Sequence, residues 1–216
     1  MILIQDVHRH PEAQQHIRAM ILYGQSHWGA KEVFLEGAWT KGQTADYAFS
    51  GLEDEETYRA NVAAYEAEEK DRSEALEEIE TAQLLQNAMD ATASPSWAEI
   101  KRLVQLRMKP GEYAEYQKHP FRFASASSLA RAVESAELFY ELAGRRSAIF
   151  LANAKRLHQS GPQVLVIGGF HTAGMAETLR REGVSFVVLS PKVTQGGFEE
   201  LYSQGMHQTI SALKLH

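Results

Sequence analysis

Two short aliphatic runs near opposite ends of the chain constrain its fold most. Ile2-Leu3-Ile4 lies in a segment read as a strand over 2–7, and Val164-Leu165-Val166-Ile167 lies near the other end. Neither run alternates apolar with polar residues, as a strand with one wet face does. Both read as strands covered on two faces, which is the pattern of a parallel sheet flanked by helices. Pro11 follows the first run and suits a helix start, because its missing N–H costs nothing there. Ala13, Ile17, Met20 and Ile21 keep helical spacing to about residue 23, and 24–29 reads as a loop. A second strand follows over 32–36, on Val33, Phe34 and Leu35. Together these segments make a right-handed β-α-β unit.

The α/β pattern returns after Gly161-Pro162, with a strand over 164–167 and a helix over 172–182 that Gly183 closes. A further buried strand is expected over 184–189, and a helical tail from Phe198. The middle of the chain is different. From Thr57 to about residue 90 it is rich in Glu, Ala and Leu, with a thin apolar stripe, and Asp71-Arg72-Ser73 is a candidate break. The charges over 66–80 read as a solvated helical face. Ser96 and Glu99 have capping-box spacing for a helix beginning near Trp97. Pro110 opens a short helix, and residues 125–128 offer N-caps for a long one reaching toward His158. The expected architecture is a single α/β domain over 1–216. It has a small, mainly parallel sheet flanked by helices, and a large helical insertion over 52–160 between the N-terminal and C-terminal β-α units.

In such a sheet the carboxyl ends of the strands share one edge, where ligands bind. Chemistry-bearing residues fall at those ends. His8 follows the first strand in Gln5-Asp6-Val7-His8, with Asp6 beside it. In extended chain His8 and His10 point the same way, and a His-x-His pair can hold a divalent metal. Amidohydrolase barrels use that pair, but they need eight β-α units and about 250 residues. Glu36 ends the second strand. Gly168-Gly169-Phe170-His171 follows the late strand, and its glycines permit a sharp turn and close backbone approach to a ligand. His171 lies near a helix N-terminus, where N–H groups and the helix dipole favour an anion. Arg145 and Arg146 interrupt an otherwise apolar helix, and one of them can reach the strand ends to bind an anion.

Other classes lack their signatures. Net charge is −6 with no basic patch, so nucleic acid is not an expected partner. Cysteine is absent, which removes disulfides, thiolate metal sites and cysteine nucleophiles. No Gly-x-Gly-x-x-Gly, Walker A, Gly-x-Ser-x-Gly or His-Glu-x-x-His motif occurs. No apolar run approaches the roughly 20 residues that span a bilayer. No signal-peptide pattern opens the chain, so the cytoplasm is the default expectation.

The same residues resemble the TraB/Tiki and ChaN/erythromycin-esterase superfamily. The likeness rests on a first strand ending in a His motif, a second ending in Glu, an Arg on a long helix and a late Gly-x-x-His turn. The corresponding residues are His8, Glu36, Arg146 and Gly168 to His171. Some bacterial members carry a Gln-Asp-x-His start, a Gly-x-Glu-Asp segment and a Gly-Gly-Phe-His-Thr-x-Gly turn. Here these are Gln5 to His8, Gly51-Leu52-Glu53-Asp54 and Gly168 to Gly174. The resemblance implies an α/β core with a helical insertion and a polar His/Glu cleft. Among its members are proteins regarded as metal-dependent proteases, lactone-opening esterases and haem binders.

Two functions are therefore expected to compete. One is hydrolysis of an amide or ester bond in a peptide or small molecule. His8, Glu36 and His171 would activate water or hold a divalent metal (Mn, Co or Zn), and Arg146 would stabilise the oxyanion. Asp6, Glu53, Gly168 and Gly169 would line and support that site. The alternative is a binding protein for haem or another small ligand, using the same cleft without turnover.

Overall fold

The aliphatic runs form adjacent strands. In the computed structural model, which describes residues 1–8, 10–38, 41–43, 48–89, 96–124, 127–194, 204, 207, 208, 210 and 211, strand β1 is Ile2–Asp6 and strand β5 is Val164–Gly168. They pair in parallel from Ile2 opposite Val164 to Asp6 opposite Gly168. Strand β2, Glu32–Leu35, pairs in parallel with the other side of β5. Two strands that the sequence pattern did not show, β3 (Lys41–Gln43) and β4 (Ala48–Gly51), extend the sheet beyond β2. They are short and contain glycine and polar residues, so they carry no apolar run. Strand β6, Val187–Leu189, lies beside β1. The sheet order is β3-β4-β2-β5-β1-β6, parallel throughout except for β3, which runs antiparallel to β4. The fold is α/β, with helices between the strands.

The chain divides into two compact units, Met1–Arg59 with Ala143–His216, and Ala60–Leu142. The first unit holds the sheet, and both faces are covered as the unbroken apolar runs require. On one face Ile2, Ile4, Val33, Val164 and Val166 pack with Ile17 and Ile21 of helix α1, Pro11–Trp28. On the other, Leu3, Phe34, Leu165 and Ile167 pack with Phe150, Leu151 and Ala154 of helix α5, Ser128–Leu157. Met175 and Leu179 of helix α6, Gly169–Arg181, join them. Each such buried side chain contributes about 1.5–3 kcal/mol, so this double layer fixes the sheet that carries the strand ends.

Three local expectations for this unit change. Helix α1 does not stop near residue 23 but runs through Trp28. Gly24 lies inside it against Val164 and Ile2, so the missing side chain serves close helix-sheet approach. Gly29, at φ 70°, takes the left-handed position that ends the helix. The late strand is shorter than expected and is not buried, since Val187 and Val188 are 39% and 37% exposed.

The second unit holds most of helix α2 (Glu55–Met89), helices α3 (Trp97–Val104) and α4 (Pro110–Tyr116), and the first half of α5. Helix α2 is continuous through Asp71-Arg72-Ser73, contrary to the expected break. Arg72 pairs with Glu68 one turn earlier, and Asp71 accepts from Arg131 at 2.8 Å. The charges over 66–80 are not simply a solvated face. Glu68 is fully buried, and Glu74 and Glu78 accept from Ser128 and the Leu129 N–H at the start of α5. The Glu78 carboxylate satisfies N–H groups at the helix start that would otherwise lack partners, and Glu74 takes the Ser128 hydroxyl. Ser96 precedes α3 but makes no side-chain cap hydrogen bond. The expected tail from Phe198 lies largely outside the described residues. Among the described residues no helix is long and apolar enough to cross a membrane.

Candidate functional site

Parallel pairing brings the strand ends level. Asp6 lies opposite Gly168, and Leu35 lies opposite both Val166 and Gly51. Residues just beyond these positions must emerge at one edge of the sheet: His8 after β1, Glu36 after β2, Glu53 after β4 and His171 in the first turn of α6. Helix α5 adds Arg146 from the face that also carries Phe150. The structure thus brings together His8, Asp6, Glu36, Glu53, Arg146, Gly168 and His171, which are scattered along the sequence.

Glu36 is the hub. Its Oε1 accepts from Arg146 Nη2 at 2.9 Å and lies 3.3 Å from His171 Nε2. Its Oε2 accepts from the Gly168 N–H at 2.5 Å. Arg146 also donates to both oxygens of Glu53, at 2.5 Å through Nη2 and 3.3 Å through Nε. Glu53 accepts in turn from the Gly37 N–H at 3.3 Å. The guanidinium lies over the rings of Tyr58 and Phe150, 5.3 and 5.4 Å from their centres. Arg146 and His171 are only 7% and 4% exposed, so the Arg146 cation is paired inside the protein.

His8 differs in that its side chain is 38% exposed. Its Nδ1 is 2.7 Å from Asp6 Oδ2, and Asp6 is steadied by Gln14, whose amide donates to Oδ1 at 2.7 Å. Its Nε2 is 4.0 Å from Glu36 Oε1. Gly168 lies between them: a Cβ there would come 3.1 Å from His8 Nε2 and 3.2 Å from Glu36 Oε2. A side chain at this position would therefore crowd both groups.

The charges set proton affinities in opposite senses. Burial pushes the Glu36 carboxyl up, but His171, Arg146 and His8 together hold it well below the usual carboxylate range. Burial dominates at Glu53 and raises it despite Arg146. Burial opposes the charged form of His8, yet the Asp6 hydrogen bond and the nearby Glu36 and Asp6 charges outweigh it. The His8 imidazole is raised above its ordinary value.

No known protein family matches this chain, and neither the curated proteins nor the solved structures contain a significant match.

Each Glu36 oxygen already accepts from the protein, and the Arg146 cation lies 2.9 Å from the oxygen nearest both histidines. Among the described residues no three His, Asp or Glu side chains group as a cation cage. The expected His8, Glu36 and His171 ligand set therefore does not fit a divalent ion in this arrangement. His10 does not join His8. It is buried as the N-cap of α1, with Nδ1 accepting from the Ala13 N–H at 3.3 Å, because the chain leaves the strand after Asp6. Gly169 opens α6, and a Cβ added there would meet nothing within 4 Å. Asp54 caps α2 by accepting from the Thr57 N–H and hydroxyl.

Sequence reasoning missed Gln14, Tyr58 and Ser147. The Ser147 hydroxyl is 2.8 Å from His171 Nδ1. Its only sequence signal is its place next to Arg146 on α5.

Proposed function

We propose that this site hydrolyses an ester or amide bond without a metal, with His8 as general base. The observation that carries the reading is the Asp6–His8 pair: a half-exposed imidazole, oriented by a carboxylate, beside a buried ionic cluster at the carboxyl edge of the sheet. A carboxylate on Nδ1 leaves Nε2 to take a proton and stabilises the imidazolium that results. Glu36, ionised and 4.0 Å from Nε2, stabilises the same cation.

In the proposed reaction His8 Nε2 removes a proton from water as the water oxygen bonds to the substrate carbonyl carbon. The carbonyl oxygen becomes an oxyanion, which the start of α6, at the Gly169 N–H, is suited to receive. The oxyanion then re-forms the carbonyl, the C–O or C–N bond breaks, and His8 returns its proton to the leaving group. Arg146 is already committed to two carboxylates, so its part is to hold Glu36 and Glu53 in place. The reading agrees with what the resemblance to erythromycin-esterase-like proteins implies. The substrate class is a small molecule or peptide with an accessible carbonyl.

The test is a panel of chromogenic esters and peptides assayed with a chelator present. Wild type is expected to turn over at least one ester or amide, and His8→Ala to lose roughly 10²–10⁴ of that rate, the usual scale of general base catalysis. Turnover that survives His8→Ala, or that the chelator abolishes, contradicts the proposal.

A further inference from the structure

We propose that Ser147 is a positioning residue for His171: its hydroxyl at Nδ1, opposite Glu36 at Nε2, fixes which ring nitrogen presents a hydrogen to Glu36. The inference rests on the reading of this cluster as the functional site, but it concerns a contact that the sequence did not show.

His171 is 4% exposed and held edge-on between aromatic rings, 5.0 Å from Phe150 and 5.6 Å from Phe170 between centres. Its ring nitrogens meet oxygen on both sides, Ser147 Oγ at 2.8 Å and Glu36 Oε1 at 3.3 Å. A carboxylate only accepts, so Nε2 must carry the hydrogen that faces Glu36. Ser147 can both donate and accept. Its hydroxyl lies 3.2 Å from the Ala143 carbonyl as well, so it donates there while accepting from Nδ1, or donates to Nδ1 itself. Either state leaves no buried ring nitrogen unpaired. A flipped ring would set carbon against Glu36 and Ser147 and forfeit both contacts.

Removing the hydroxyl strands Nδ1 in an apolar wall, where an unmet polar atom is costly. The ring then gains by tilting toward another partner, which withdraws Nε2–H from Glu36. The influence of Ser147 therefore runs through His171 to Glu36 and not directly to a substrate.

The experiment is long-range 1H–15N correlation on protein labelled at histidine, with His171 assigned by His171→Gln. Wild type is expected to show His171 with a persistently protonated Nε2. Ser147→Ala is expected to lose that signature or to average the two nitrogens, with the backbone amide spectrum otherwise kept. Ser147→Cys replaces the hydroxyl with a thiol of similar size and weak hydrogen bonding. It should behave like the alanine variant, and it is the variant read if alanine does not fold. A wild-type His171 pattern in either folded variant overturns the inference, because filling space would then be the only role of Ser147. The readout belongs to the ring itself and needs no turnover. A lost signature in a protein that hydrolyses nothing sinks the hydrolase and leaves Ser147 standing, and the converse pair of results does the opposite.

Discussion

Each unit of the molecule buries a glutamate against an arginine, and the two pairs are built differently. In the second unit Glu68 is fully buried and pairs with Arg72 one turn along the same helix. Arg72 lies over Tyr65, 5.4 Å from the ring centre. Burial pushes the Glu68 carboxyl up despite that partner. In the first unit Glu36 is held far down, because Arg146, His171 and His8 approach it from three separate segments. A local pair along one helix serves helix and packing, and one partner does not offset the lost hydration. A cluster assembled from distant segments creates a strong field beside a half-exposed histidine. Charge separated in a reaction needs a field of that kind.

The comparison breaks most clearly at the arginines. Arg146→Ala leaves two buried carboxylates without their cation, and an uncompensated buried charge costs about 3–5 kcal/mol. Arg72→Ala leaves one, whose carboxyl is already pushed up by burial and so takes a proton more readily, and about 1–3 kcal/mol is expected. Urea unfolding of both variants measures this difference. Equal losses would mean that the two pairs are the same kind of structural feature.

A smaller structural change should have a large functional one. Gly168 has φ −59° and ψ 152°, a conformation open to any residue, so Gly168→Ala carries no backbone penalty. The added Cβ would stand 3.1 Å from His8 Nε2 and 3.2 Å from Glu36 Oε2, crowding both groups. We expect the melting temperature to hold within a few degrees while hydrolysis falls by on the order of 100-fold, a loss typical of misplaced reacting groups. A fall in activity matched by a fall in stability would remove the steric argument.

The smallest expected effect is on stability against pH. His8 is raised in the folded protein, so its contribution is full below its ordinary value near 6.5 and is lost as pH climbs through the folded value. Wild type should weaken as pH rises from below 6.5 through the raised folded value of His8. His8→Asn should flatten that slope, and an unchanged slope would assign it to other groups.

The strands at the centre of the sheet were legible because a strand covered on both faces needs an unbroken aliphatic run. The polar residues just beyond those runs were legible for the same reason: parallel pairing puts His8, Glu36 and His171 at one edge wherever the crossovers go. Strands β3 and β4 were not legible, being short and carrying no apolar run. Helix α1 outran its expected end because Gly24 there serves close packing against Ile2 and Val164, a role that a sequence pattern cannot separate from a break. Glu68 looked solvated because charge patterns do not reveal which carboxylate a fold turns inward. The contact of Ser147 with His171 was not legible because it depends on the rotation of α5 about its axis.

The most direct measurement of the account is the NMR titration of the His8 ring in wild type and in Asp6→Asn. His8 is expected to titrate above its ordinary value in wild type, and to drop when Asp6 no longer supplies its charge and hydrogen bond. A His8 that titrates at or below its ordinary value, or that ignores the loss of Asp6, would contradict the oriented base on which the proposed function rests.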